Sequence, residues 1–540
     1  MKDGTGGAAE RARAGDSRTG AAGFACPSHG GRQERGALLA YGALGLPLAF
    51  AALPIYVHVP RLYAEGLGLS LALVGAVLLA ARIVDAVTDP LIGWANDRLP
   101  RRRLWVALAL PALGAGMLGL LIPPAGVGAG WLFGLLVAVS LAYSVASIAY
   151  NAWGAEVAAT PAARTRFVAS REAFALAGVV FAAALPGLLG DAGMGGAVGP
   201  VGGAGAVGGA VASGEAGGGV PASGGDGGAA GLARLAWGFL PLLVVFGLWT
   251  LWRAPAPPPL GPVRAPLWRG LRTALGDAGF ARLLALFAAN GIAAAIPSAT
   301  VLFFVADVLQ AEAFAGAFLA LYFLAAAAGL SLWTRLSQRV GKLRAWLAGM
   351  ALAVAVFAWA GLLGSGDLLA YACICLLSGV ALGADLALPP SLLADLLARG
   401  REWAPSQHSG GATAVGATGD ARAHVGNARA HDAAACAPTL EAGACFGWWS
   451  FVTKANLALA AGLALPLLAL LGYTPGAREA AAVGALAAVY GFVPVVLKLV
   501  AIGLLWRWRA AIEPGAEDLP PSLAPRAGAA ESATRGAGRS

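Results

Sequence analysis

The chain has 540 residues, of which 58% are hydrophobic and only 12% charged, with a formal net charge of +9 and a mean hydropathy of +0.72. A soluble chain carries about 25% charged residues, so most of this surface must face something other than water. The 37 Lys and Arg sit in short clusters between apolar runs, the pattern of membrane topology signals and not of a nucleic-acid-binding face.

Residues 1–36 are rich in Gly, Ala and Arg without an apolar core, so they are expected to be a disordered tail on the inner side and not a cleaved signal peptide. A bilayer core of about 30 Å needs roughly 20 apolar residues per helix. Runs of that kind occur near 37–58, 70–94, 104–123, 129–152, 167–190 and 232–252, an expected six-helix bundle over 37–252. It is interrupted by a Gly-, Ala-, Val- and Ser-rich external loop at 191–231. A basic, proline-rich central loop is expected over 253–279. Six more runs follow near 280–306, 313–334, 344–364, 367–395, 447–473 and 482–506, a second bundle over 280–508. A polar, low-complexity internal loop at 396–446 and a tail at 509–540 complete the plan. With residue 1 inside, the inner segments hold 29 Lys and Arg and the outer ones only Arg61, Arg234 and Arg478. That asymmetry predicts a multi-pass protein of the inner (plasma) membrane with both termini inside.

Ionisable groups are costly in hydrocarbon, and those retained there usually face a cavity and serve function. The second run carries Arg82, Asp85, Thr88 and Asp89. Asp85 and Asp89 are one helical turn apart and Thr88 lies three after Asp85, so all three can share a helix face. Such a set ligates a hard monovalent cation or shares a proton. The plainer reading is an ion pair with Arg82, or a charge at a helix end. In the tenth run Asp385 reads either as a second cation relay or as a polar contact at the Pro389-Pro390 break. Asp307 reads as solvated at an outer helix end, and Lys498 as snorkelling to the inner interface.

Other chemistries find little support. The five cysteines form no CxxC pair, and His408, His424 and His431 with Cys436 match no ligand spacing, so neither a metal nor a cofactor is expected. No GxxxxGK[ST], HExxH or GxSxG string is present, so neither ATP drive nor an embedded enzyme is supported. The expected partners are a small solute, a coupling cation and lipid, without nucleic acid, around a monomer.

After Asp89 comes Gly93-Trp94-Ala95-Asn96-Asp97-Arg98-Leu99-Pro100-Arg101-Arg102-Arg103. It closely resembles the loop signature of the major facilitator superfamily between its second and third helices. Arg335, Arg339, Gly341, Lys342 and Arg344 are a weaker echo. The resemblance implies an all-α membrane protein of the major facilitator fold, with twelve transmembrane helices in two six-helix halves. It also implies an inner-side gate of Gly93, Asp97, Arg98, Arg102 and Arg103, joined by Glu156 and Arg164. A simple positive-inside anchor is the alternative.

Several strings are together similar to the melibiose permease-like glycoside–pentoside–hexuronide:cation symporter family. They are Arg82 to Arg98, Tyr41-Gly42, Tyr150-Asn151-Ala152 with Glu156, Arg164-Thr165 with Arg171, Ala394-Asp395, Phe451 to Lys454 and Leu471-Gly472-Tyr473. The resemblance implies sodium- or proton-coupled symport of a sugar, glycoside or uronide. Asp85 and Asp89 then bind the cation, with oxygen from Thr88 and Ser144 where melibiose permease has an asparagine and a threonine. In the substrate site the family's two acids are replaced by Ala49 and Ser147. Arg171 and Lys454 are kept, and Trp153 and Trp448 or Trp449 stand near as stacking surfaces. Two buried cations without those acids imply an anionic cargo, unless Asp395 or Glu172 neutralises them and the cargo is neutral. A facilitator for a non-sugar solute (organic anion, drug or lipid) is the other reading.

Overall fold

In hydrocarbon every backbone N–H and C=O must find a partner within the protein, which an α-helix achieves within its own segment and an open sheet edge does not. The computed structural model describes residues 31–124, 126–188, 225–258, 266–403 and 440–512, and among these the chain is helical without a strand. The first span is interrupted: α1 (Gly31–Gly42) and α2 (Gly45–Leu53) continue through π-helical turns at Pro54–His58 and Leu62–Gly66, on either side of α3 (Val59–Arg61). Pro54 and Pro60 lack the N–H that a regular ladder needs, and both lie in this stretch. The N-terminal half is completed by α4 (Leu71–Arg98), α5 (Arg102–Leu121), α6 (Ala129–Val157), α7 (Pro161–Leu188) and α8 (Gly225–Arg253).

A short helix, α9 (Leu267–Gly276), stands in the connection between halves, where the sequence predicts only a loop. The C-terminal half comprises α10 (Ala278–Phe303), α11 (Ala315–Val340), α12 (Lys342–Ala360), α13 (Leu368–Trp403), α14 (Ala442–Leu470) and α15 (Ala480–Ile512). A π-helical turn, Phe304–Val308, extends α10. Helix α13 passes through Pro389-Pro390 and on to Trp403, past the predicted end near 395. Much of the expected loops 191–231 and 396–446 and of the two tails lies outside the described residues. Local chemistry sets several ends. The Ser70 side chain accepts from Leu73 N–H at 3.3 Å and caps α4, and Asp277 accepts from Phe280 N–H at 2.7 Å and caps α10. Gly341, at φ +88°, makes the tight turn from α11 to α12 in a conformation that side chains resist.

Lipid contact is legible on the surface. On α4, Leu79, Ile83 and Val87 repeat at four-residue spacing and are exposed, whereas Asp85 and Asp89 on the opposite side are buried. Exposed tryptophans gather at two levels. Trp252, Trp268 and Trp506 lie at the end where the halves are connected, the linker end, and Trp131, Trp237 and Trp359 lie toward the far end, as aromatic belts do at bilayer interfaces. Ten helical stretches among the described residues are long and apolar enough to cross a membrane. Helices α4 and α7 are not among them, and they are rich in charge. Both run between the halves, α4 along α14 and α7 along α11 and α13, so their polar residues meet protein.

Candidate functional site

The four-residue spacing on α4 does place both carboxylates inward, and there they meet a lysine. Lys454 of α14 brings its Nζ to 2.8 Å from Asp85 Oδ1 and 2.7 Å from Asp89 Oδ2. It also donates to Asp89 Oδ1 and to Ser144 Oγ, each at 2.8 Å. Ser144 of α6 donates in turn to Asp85 Oδ1 at 3.0 Å. All four residues are buried. Of the expected cation set, Asp85, Asp89 and Ser144 are thus brought together. Thr88 is turned elsewhere, since its hydroxyl donates to the Asp85 carbonyl of its own helix at 3.0 Å, the usual back-bonding of a mid-helix threonine. Lys454, expected in the substrate site, stands at the centre of the acids. Chain-local spacing carried the acids, whereas the lysine's approach from another half had no signature in spacing.

Toward the linker end a second buried network closes the bundle. The Arg102 guanidinium reaches Glu156 Oε1 at 2.7 Å and Asp97 Oδ1 at 2.9 Å, and donates to the Asn96 carbonyl at 2.8 Å. This planar fork of donors holds acids from α4 and α6 at once. Asp97 then crosses to the other half, where its carboxylate accepts from the N–H groups of Gly443 and Ala444 at 2.7 and 2.6 Å. Those are unpaired first-turn donors of α14, and the positive end of its dipole favours an anion. The crossing is possible because Gly93, Gly443 and Gly447 have no side chains: a Cβ on any of them would overlap facing backbone. A further bridge joins Arg164 of α7 to Asp395 of α13 at 3.0 Å, and Asp395 also holds Lys342. Beside it the hydroxyls of Thr165 and Ser391 are 3.2 Å apart. Two expected gate members stand outside this network. Arg98 is exposed, with its guanidinium 4.4 Å from the Trp94 ring centroid, and Arg103 donates to the Ala254 carbonyl and lies over Trp153.

A family model described as MFS/sugar transport protein matches residues 38–421 and 436–510. The chain belongs to that family, within the major facilitator superfamily. Solved structures share the fold at low identity. A bacterial homologue of the iron transporter ferroportin, in an outward-facing state, is 16% identical with a TM-score of 0.58, over 89% of this chain and 100% of that one. The fucose:proton symporter of E. coli is 12% identical with a TM-score of 0.58, over 88% and 98%. A human organic anion transporter is 16% identical with a TM-score of 0.51, over 87% and 99%.

In this facilitator the remaining expected site residues separate. Arg171 is paired with its neighbour Glu172, and Lys454 with two acids, so the two uncompensated cations that would call for an anionic cargo do not arise. Asp395, considered as their neutraliser, instead serves Arg164 and Lys342. Trp153 is fully buried, donates to the Pro255 carbonyl at 2.8 Å and packs edge-on to Tyr41. Trp449 is stacked on Phe287 with centroids 3.8 Å apart. Neither ring is free to receive a cargo face. Ser147 is half-buried on α6. A small crevice between the halves is lined by Asn151, Arg164, Arg171, Pro390, Ala394 and Phe446, among others. The buried acceptors Asn151 Oδ1 and Glu172 Oε2 make no hydrogen bond among the described residues.

Two single readings of charge also change, those of Lys498 and Asp307, and Asp385 is seen to make polar contacts. Lys498 does not snorkel: it is buried, donating to Asp385 Oδ2 and to Asn290 Oδ1, each at 2.8 Å. Asp385 also accepts from Trp346 Nε1 at 2.8 Å, so it is the anchor of an ion pair inside the C-terminal half. Asp307 is not solvated. It is buried, and accepts from the Tyr473 hydroxyl and from Gly476 N–H at 3.0 Å.

Proposed function

We propose that this facilitator is a secondary active symporter, driven by sodium or protons, that carries a sugar, glycoside or uronide by alternating access. The observation that carries the reading is the buried node of Asp85, Asp89, Ser144 and Lys454. Two carboxylates against one ammonium leave one negative charge to be met, which suits one proton or one monovalent cation. A proton adds to a carboxylate with Lys454 still in place, whereas sodium has to share the oxygens with the ammonium or displace it. Either cation weakens the grip of Lys454 across the two halves, so cation occupancy becomes coupled to their rocking. The linker end, with its basic clusters, is in this proposal the inner face of the plasma membrane, and both termini lie there. The melibiose permease-like branch of the superfamily is the assignment these residues favour.

For the cargo, the unpaired acceptor Asn151 Oδ1, in the same crevice as Arg171, suits a hydroxyl donor. With both buried cations already neutralised, a neutral, hydroxyl-rich solute is favoured over an obligatory anion. One observation favours a non-sugar solute instead: Trp153 and Trp449 are committed to packing and offer no stacking platform. Both readings are tested in proteoliposomes by following labelled neutral sugars, uronides and organic anions under imposed sodium or proton gradients. Gradient-driven uptake lost in Asp85→Asn and in Asp89→Asn is the expected result. Uptake equally coupled in both variants overturns the site, and no gradient-driven uptake of any solute overturns symport.

A further inference from the structure

We propose that α9 is a membrane-surface helix that binds anionic phospholipid headgroups and, through them, holds the linker-end gate shut. The helix reads Leu267-Trp268-Arg269-Gly270-Leu271-Arg272-Thr273-Ala274-Leu275-Gly276. At 100° per residue, Leu267, Leu271 and Leu275 form one stripe with Trp268 at its edge, Gly270 and Ala274 lie on one flank, and Arg269 and Arg272 lie on the other. The structure uses each flank differently. Ala274 is buried against the protein, and Gly270 is so close to Trp94 that an added Cβ would sit 3.0 Å from the indole. Outward, Trp268 is 72% exposed, Leu267 37% and Leu275 41%, and both arginines are exposed. An exposed apolar edge beside two cations has no soluble use at this place. It lies at the same end of the bundle as the exposed Trp252, in the last turn of α8, and Trp506, near the end of α15. Leucine and tryptophan side chains enter the acyl boundary there while guanidinium groups meet phosphate. The exposed Arg98, Arg101 and Arg253 at the same end add to the positive field.

What the helix sits on gives the contact a consequence. Trp94 precedes Asp97 by one turn on α4, and Trp448 follows Ala444 by one turn on α14. Helix α9 rests on the first through Gly270 and accepts from Trp448 Nε1 at its Leu271 carbonyl, 3.3 Å away. It therefore spans the two helices whose junction, Asp97 on the Gly443 and Ala444 amides, closes this end. Fixing α9 to the membrane surface stiffens the strap across that junction. The inference does not depend on which solute or cation is carried.

Cys445, fully buried beside Ala444, reports the gate. The full chain, with Cys26, Cys373, Cys375 and Cys436 replaced by alanine, is placed in nanodiscs and alkylation of Cys445 is timed. Phosphatidylglycerol discs are expected to slow alkylation at least about fivefold relative to phosphatidylcholine discs. Arg269→Gln/Arg272→Gln should abolish that difference, and Arg269→Lys/Arg272→Lys should restore it. Equal rates in the two lipids, including no reaction in either, overturn the proposal, as does a lipid effect that survives the glutamine pair. Inorganic phosphate added to phosphatidylcholine discs should change nothing; if it reproduces the slowing, the site takes a free anion and the membrane reading falls.

Discussion

Lys454 and Asp89 stand 365 positions apart in the chain, yet the lysine Nζ donates to Asp89 Oδ1 at 2.8 Å in the middle of the bundle. This contact joins the N-terminal and C-terminal halves at the depth where charge is most expensive, so its removal has unequal consequences. Taking away one partner of a buried pair costs about 3–5 kcal/mol, because the other charge is left behind. Lys454→Met should therefore lower the unfolding temperature in detergent markedly. Lys454→Met/Asp89→Asn should lower it less than the sum of the two single changes. Strict additivity in thermal melts would show that the pair does not act as a unit.

The C-terminal half has its own buried pair, and it makes a sharper distinction. If Asp385 only anchors Lys498, Asp385→Asn should destabilise by about 3–5 kcal/mol. Asp385→Asn/Lys498→Met should recover most of that loss. Gradient coupling in the double variant should be retained. Loss of coupling in a double variant of native stability would instead make Asp385 part of the ion path.

At the linker end Asp395 serves two cations, Arg164 and Lys342. Asp395→Asn leaves both without their carboxylate, whereas Arg164→Gln leaves the Lys342 bridge in place. The first change should open the linker end more than the second, read as faster alkylation of Cys445. The reverse order would assign closure to Arg164 by way of its bonds to the Ala158 and Ala159 carbonyls.

Close backbone approach is a separate requirement of the junction between α4 and α14. Gly93→Val places a branched side chain where the Gly443 carbonyl now lies, so α4 and α14 have to separate. The expected result is a protein that still folds, with Cys445 reactive and transport lost. Normal transport by Gly93→Val would mean that this crossing is not used in the cycle.

Outside the spans, Tyr473 sits in the connection between α14 and α15. Burial first, and then the Asp307 carboxylate it bonds, push its hydroxyl well above the usual tyrosine range. A group raised in the folded state stabilises fully below its unfolded value of about 10 and loses that contribution as pH rises further. Stability should thus fall above pH about 10, and Tyr473→Phe should flatten that part of the profile. An unchanged slope between the wild-type protein and Tyr473→Phe in thermal melts would remove Tyr473 from the alkaline limb.

Twelve apolar runs, the basic segments between them and the paired acids of α4 were legible because each is a property of near neighbours. Hydropathy is set by some twenty adjacent residues, and the face shared by Asp85 and Asp89 by a single helical turn. The interrupted first span and α9 were not legible: proline-rich stretches carry too little periodicity to separate a short helix or a widened turn from a loop. The partners of single charges were hidden for another reason. Lys498 and Asp307 were given a place by their own sequence surroundings, and Lys454 and Asp395 by the family resemblance, while their actual partners come from other helices or connections; only the pairing of Arg171 with Glu172 was among the expected alternatives. Burial makes a partner obligatory but does not name it. Spans, orientation bias and the carboxylate pair are therefore the sequence's own. Which cation fills that pair, which carboxylate shuts the linker end and which rings are already covered were decided by packing alone, since hydrogen bonds and ion pairs act over about 3 Å and only the folded chain brings such atoms that near.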